Sequence, residues 1–184
     1  MKNIFSLIKL TALLLILLAV IYPLTIYGIA QLAPNQGKGE TILVNGKVVG
    51  YQKLGQKFDN SNYFWGRPSA VDYNAAGSAG SNKGPNNEEY LALVQKRIDT
   101  FLIAHPYLDK LQIPAEMVTA SGSGLDPNIS PQGALIQVKR VAQERKIAKE
   151  KIKALVEAHC NRPLIMGPET VNVLELNIAL NELK

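Results

Sequence analysis

Cysteine is almost absent: Cys160 stands alone in 184 residues, so no internal disulfide can form. Histidine is nearly as scarce, with only His105 and His159. A metal centre built on these residues lacks ligands, and Cys160 beside His159 is expected to be a packed or half-exposed thiol. Neither histidine has an acid or a nucleophile close by in sequence to form a relay. Excess charge is missing too. Lys and Arg number 20 against 15 Asp and Glu; setting aside Lys2 and Lys9 leaves 18 against 15, a mild +3 that is too evenly spread for nucleic acid. The longest gap is in charge of either sign, from Leu10 to Gly37.

Within that gap lies the stretch that organises the chain, LTALLLILLAVIYPLTIYGIAQLA at 10–33. At about 1.5 Å per residue it reaches roughly 36 Å as a helix, enough to cross a hydrocarbon core of about 30 Å. Backbone at that depth must satisfy its own polar groups, which predicts an α-helix, with Pro23 removing one hydrogen bond and inviting a kink. A cleaved signal peptide is the rival reading, but its apolar region is normally shorter than this run. Lys2 and Lys9 precede the helix, so residues 1–9 are expected to stay in the cytoplasm and the remainder to be exported across the membrane.

Residues 34–39 read as a linker, and 40–184 as one α+β domain with its own core. Asn45-Gly46 between β-branched runs predicts a type I′ hairpin. Residues 59–87 are rich in Asn, Gly and Ser yet carry Tyr63, Phe64, Trp65 and Tyr73. They predict a long ordered loop rather than a disordered linker. Asn87 as cap and Pro106 as terminator frame a helix with Leu91, Val94, Ile98 and Phe101 or Leu102 inward. A second polar loop covers 118–131. Ser130-Pro131 starts a helix to about Lys146, with Leu135, Val138 and Val141 or Ala142 inward. A further helix follows near 148–160, then a short strand at Leu164–Met166, then a strand and helix over 171–183. Lys139, Arg140, Arg145, Lys146, Lys149, Lys151 and Lys153 are expected on a solvated face.

Catalytic motifs fail on inspection. Neither Ser121 nor Ser123 has the G-x-S-x-G setting of a nucleophile elbow. Pro127 stands where a dinucleotide loop needs glycine, and residues 77–85 lack the phosphate-loop spacing. A calcium loop starting at Asp126 has Pro131 in place of its turn glycine. No catalytic residue is therefore assigned. An anchored hydrolase using Ser121 or Ser123 is the least favoured reading. A free-standing membrane-anchored periplasmic binding module is a further reading.

FWGRPSA at 64–70, Asp72-Tyr73-Asn74, Gly80-Ser81-Asn82 with Gly84-Pro85, VTASGSGLDPNISP at 118–131, Arg140-Val141-Ala142 and VNVLELNIAL at 171–180 together resemble the C subunit of the bacterial Kdp-type potassium-transporting ATPase. Lys83 departs from an apolar position of that pattern. The resemblance implies a non-catalytic accessory subunit of an ATP-driven potassium importer. Its partners would be a channel-like potassium-binding subunit, a P-type ATPase subunit and a small single-span peptide. It also implies a role in raising the pump subunit's affinity for ATP, with nucleotide binding. If this chain holds ATP, the loop Ser121, Gly122, Ser123 and Gly124 with Gln137 on the following helix is the candidate site. Arg67, Asn82, Ser121 and Asp126 are the expected partner contacts, because they lie in irregular loops.

Overall fold

A computed structural model describes residues 2–183; the outer ends of the expected N-terminal segment and domain, Met1 and Lys184, lie outside these residues. The chain divides into two compact units, Met1–Glu40 and Thr41–Lys184.

The first unit is an apolar helix. It runs as α1 (Lys2–Ile16), a π-helical turn (Leu17–Ile21) and α2 (Tyr22–Ala30). Its stretch Ile4–Ala30, 27 residues long, has the length and hydropathy to cross a membrane. It starts well before Leu10 and stops at Ala30, so Gln31–Ala33 fall in a turn rather than in the helix. Pro23 is absorbed by the π-turn just before it. The Tyr22 N–H reaches back to the Leu17 carbonyl, and Pro23 enters the first turn of α2, where a missing donor matters least. The Thr25 hydroxyl donates to the Ile21 carbonyl at 2.8 Å, supplying a donor beside the break.

In the second unit, β1 (Thr41–Val44) and β2 (Lys47–Tyr51) form the expected hairpin, with Asn45 at φ 52° and Gly46 at φ 75°. Helix α3 (Glu88–Ala104) starts at Asn87, whose side chain accepts from the Tyr90 N–H. The Ser130 side chain accepts from Gly133 to start α4 (Pro131–Leu135). Then come α5 (Val138–Arg145), which ends at Lys146 with φ 56°, and α6 (Lys149–Ala158). A second antiparallel sheet has the order β3–β5–β4, from Asn128–Ile129, Thr170–Asn172 and Cys160–Asn161. Asn172 caps the closing helix α7 (Val173–Glu182). The α+β class is as expected.

Phe64, Phe101, Ile129, Val138, Val141, Ile152, Val156, Val171, Leu176 and Leu180 make the core. Several inward assignments are corrected. Leu91 and Leu135 are exposed; the apolar stripe of α3 turns inward only near its end, at Phe101, and Ala134 takes the place assigned to Leu135. The expected continuous helix 131–146 breaks at Ile136–Gln137, which lets the Gln137 side chain point into the core. Leu164–Met166 is not a strand; it is a bare loop between β4 and β5. Arg140 is 4 % exposed rather than on the solvated face.

Candidate functional site: a loop face pinned from beneath

Residues 59–87 contain one short 3₁₀ turn, Ala75–Gly77, and otherwise no regular structure. Their order comes from buried polar side chains. The Asn177 amide accepts from the Phe64 N–H at 2.8 Å and donates to the Phe64 carbonyl at 3.0 Å. Gln137 does the same for Trp65, at 2.8 Å and 3.1 Å. Two side-chain amides thus replace a neighbouring strand, satisfying backbone groups that burial would otherwise penalise.

Arg140 completes the clamp. Its guanidinium donates to the Ser61 carbonyl, to the Tyr63 carbonyl at 3.0 Å and to Gln137 Oε1 at 2.8 Å. It also lies 4.3 Å from the Trp65 ring centroid, a favourable place for a cation. Its Nε donates to His105 Nε2 at 2.9 Å, while His105 Nδ1 donates to the Phe101 carbonyl at 2.8 Å. This pairing fixes His105 as the neutral Nδ1–H tautomer. Burial, with Arg140 beside it, pushes the His105 pKa down to about 4. Burial also lowers the Arg140 pKa to about 10, leaving it charged at neutral pH. Arg145 grips the next turn, donating to the Asn62 carbonyl at 2.8 Å over the Tyr63 ring.

Above these pins lies a cleft of about 380 Å³ whose lining includes Trp65, Arg67, Tyr73, Lys96, Arg97 and Phe101. Arg67 and Asp126 pair at 3.0 Å. The Tyr73 hydroxyl donates to the Arg67 carbonyl at 2.5 Å, and burial with Asp126 nearby raises its pKa to about 12. Ser69 Oγ accepts from the Val71 and Tyr73 N–H groups and shapes the turn in which Asp72 and Tyr73 take positive φ. Lys57 holds Asp72 at 2.7 Å and Asp59 at 3.4 Å at the rim. Arg67 Nε is buried with no hydrogen-bond partner among the described residues.

The candidate residues separate into groups. Arg67 and Asp126 meet each other. Ser121 is 3 % exposed and its N–H donates to the Pro68 carbonyl. Gly122 and Ser123 are exposed, while Gly124 is buried at φ 68°. The Ser78 hydroxyl donates to the Ser123 carbonyl at 2.9 Å, so the two polar loops lie against each other. Asn82 is exposed in a left-handed conformation. Gln137 belongs elsewhere: fully buried, it directs its amide to Trp65, Gly133 and Arg140. The residues missed from sequence are Arg140, His105 and Asn177. Only the placement of Arg140 and Asn177 inside Arg140-Val141-Ala142 and VNVLELNIAL signalled their importance. Among the described residues no group of three or more His, Cys, Asp and Glu is placed to hold a metal.

One helix able to cross a membrane, followed by a small α+β domain whose motifs shape loops around polar pins, defines the class: a candidate membrane-anchored domain. The family model described as KdpC, the K⁺-transporting ATPase c chain, matches residues 4–182. The potassium-transporting ATPase KdpC subunit of Flavobacterium psychrophilum is 78 % identical over 184 residues, the full length of both chains. That of Flavobacterium johnsoniae is 77 % identical, also over the full length of both. That of Bacteroides fragilis is 54 % identical over 189 aligned positions, covering 100 % of this chain and 99 % of the relative. The chain belongs to the KdpC family, as the motifs indicated.

Proposed function

We propose that this chain is the membrane-anchored, non-hydrolysing accessory subunit of a potassium-importing pump, and that the face built by residues 59–87 and 118–131 is its docking surface. The partners are the channel-like potassium-binding subunit and the P-type ATPase subunit, with the small single-span peptide in the same assembly. The observation that carries this reading is the way irregular loops are clamped by Asn177, Gln137 and Arg140. Such pins produce an ordered surface before any partner arrives, which lowers the entropy cost of association. The basic residues Lys2 and Lys9 at the N-terminal end of the apolar helix, with none in its last turn, support an extracytoplasmic domain.

The effect on the pump's ATP affinity is exerted through this docked face rather than by nucleotide held at Ser121–Gly124. In support, Ser121 is buried and Gln137 is saturated by core hydrogen bonds. The test is co-purification of the tagged chain with the pump from potassium-starved cells, together with the ATP dependence of hydrolysis. Asn82→Asp, on an exposed residue whose left-handed backbone Asp also tolerates, is expected to leave the fold intact, weaken co-purification and raise the ATP concentration needed for half-maximal hydrolysis. Unchanged association and ATP dependence would sink the docking role. ATP-dependent shifts of the 121–124 amide resonances in the full chain in detergent would instead establish a direct site.

A further inference from the structure

The connection between β4 and β5 ends in Pro163-Leu164-Ile165-Met166-Gly167-Pro168, six residues without a polar side chain. Leu164, Ile165 and Met166 are 101 %, 91 % and 86 % exposed. The base of this hairpin is firm: Cys160 pairs with Val171, Asn161 with Thr170, and Arg162 with Glu169 at 3.2 Å. Three large apolar side chains are therefore held out from the domain on a closed stem, against the solvent that should drive them inward.

We propose that this tip enters the interfacial layer of the same bilayer that holds the anchor, as a second, shallow membrane contact. The inference rests on reading residues 4–30 as a retained anchor and goes beyond the docking role. Its first support is location. Thr41, where the domain begins, pairs with Tyr51, and the next residue, Gln52, accepts from Asn172 of β5 through its carbonyl at 2.8 Å. Gln52 Nε2 also donates to Glu175 on the following helix at 2.7 Å. The chain thus enters the domain beside the stem that carries the tip.

Reach is the second support. Residues 31–40 separate the apolar helix from the domain, and even fully extended they span at most about 35 Å. A domain the size of residues 41–184 has a radius of gyration of about 15 Å. A tether of that length lets this end of the domain reach the bilayer surface. Chemistry is the third. Protein interfaces of stable complexes rely on aromatic or arginine anchors and on directed hydrogen bonds. The tip has no aromatic, arginine or polar side chain, Met166 being its one interface-enriched residue, and two of its six residues are prolines that lack an N–H. A lipid surface asks only for apolar side chains. Because the remaining backbone groups still need water, the contact stays at headgroup depth. Arg162 is neutralised by Glu169, so no unpaired charge has to be dragged along.

The full-length chain tests this in phosphatidylcholine vesicles containing doxyl-labelled lipid. In a Cys160→Ser background, Ile165→Cys is labelled with an environment-sensitive fluorophore, and Glu150→Cys on the exposed face of α6 serves as the aqueous reference. Flotation of both labelled chains with the vesicles reports the anchor independently. The expected result is blue-shifted emission at position 165, quenched by doxyl lipid several-fold more than at 150 and protected from iodide. Adding Leu164→Ser and Met166→Ser should reduce that lipid quenching. Equal quenching at 165 and 150 in chains that float overturns the proposal. So does protection at 165 that appears only when the larger pump subunits are co-reconstituted, which would identify a protein socket instead.

Discussion

At the scale of single residues the decisive groups are polar and buried. Arg140 has no carboxylate within its hydrogen-bond set; carbonyls, Gln137 and His105 take its donors. Arg140→Ala leaves these acceptors unpaired and opens a void beneath Trp65, so a loss on the order of 3 kcal/mol is expected in denaturant unfolding. Arg140→Lys should recover little of it, because an ammonium cannot reproduce the planar fork. His105 supplies a pH dependence. Its pKa falls from an ordinary 6.5 to about 4 in the folded state, so the unfolded chain binds the extra proton between those values. Its contribution is complete above pH 6.5 and is lost as pH falls toward 4, on the order of 3 kcal/mol in all. Arg140 and Tyr107 face the ring; Tyr107 does not ionise in this range, its pKa being raised by burial. His105→Gln keeps an acceptor for Arg140 and should flatten the stability curve between pH 6.5 and 4. An unchanged slope would show that other groups carry the acid sensitivity.

Among the elements, those set by local chemistry were readable in advance. Asn45-Gly46 needs positive φ twice, Asn87 caps α3, and Ser130-Pro131 opens α4; each is a local rule that tertiary packing left intact. The loop 59–87 was legible as ordered and 118–131 as polar, but what orders them was not. Arg140 and Asn177 sit in helices and Gln137 at the break between two, in stretches where a charged or amide side chain reads as solvent-facing, and only the fold reveals the unpaired strand-like backbone of Phe64 and Trp65 that they satisfy. Leu164–Met166 failed in the opposite sense, because apolar runs read as buried. For the candidate site, residue choice outran geometry: Arg67 and Asp126 were named separately and turn out to be paired, and Gln137 was grouped with a loop it does not serve. The glycine-serine loop makes a compact test of that geometry. A Cβ on Gly124 would lie 2.6 Å from Val71 Cγ2 and 2.7 Å from the Ala79 carbonyl at φ 68°, whereas one on Gly122 meets nothing within 4 Å. Gly124→Ala should therefore cost about 2 kcal/mol or more, while Gly122→Ala stays within about 0.5 kcal/mol. Thermal unfolding of the two variants decides it; equal losses would mean the two loops do not hold this packed arrangement.

For the molecule as a whole, the division at residue 40 separates stability from delivery. The core of residues 41–184 draws on Phe64, Phe101, Ile152, Leu176 and Leu180, all of that unit. A chain beginning at Thr41 is expected to unfold at the same denaturant midpoint as the domain within the full protein. What it should lose is proximity. On the docking role proposed above, the anchor confines the domain to the pump's own membrane, and removing it is expected to lower apparent affinity by about 10²–10⁴-fold without deleting any docking contact. At ordinary expression the truncated chain should fail to support growth on scarce potassium, and strong overexpression should restore growth by mass action. Titrating purified domain against the remaining pump subunits measures the same quantity directly. If overexpression never rescues and titration never saturates, the helix contributes contacts of its own, and Leu17–Ile21 with its π-turn becomes the segment to mutate. If the truncated chain works at ordinary levels, the loop face alone binds tightly enough, and the anchor's role shifts from delivery to holding the domain's end, with Leu164–Met166, against the bilayer.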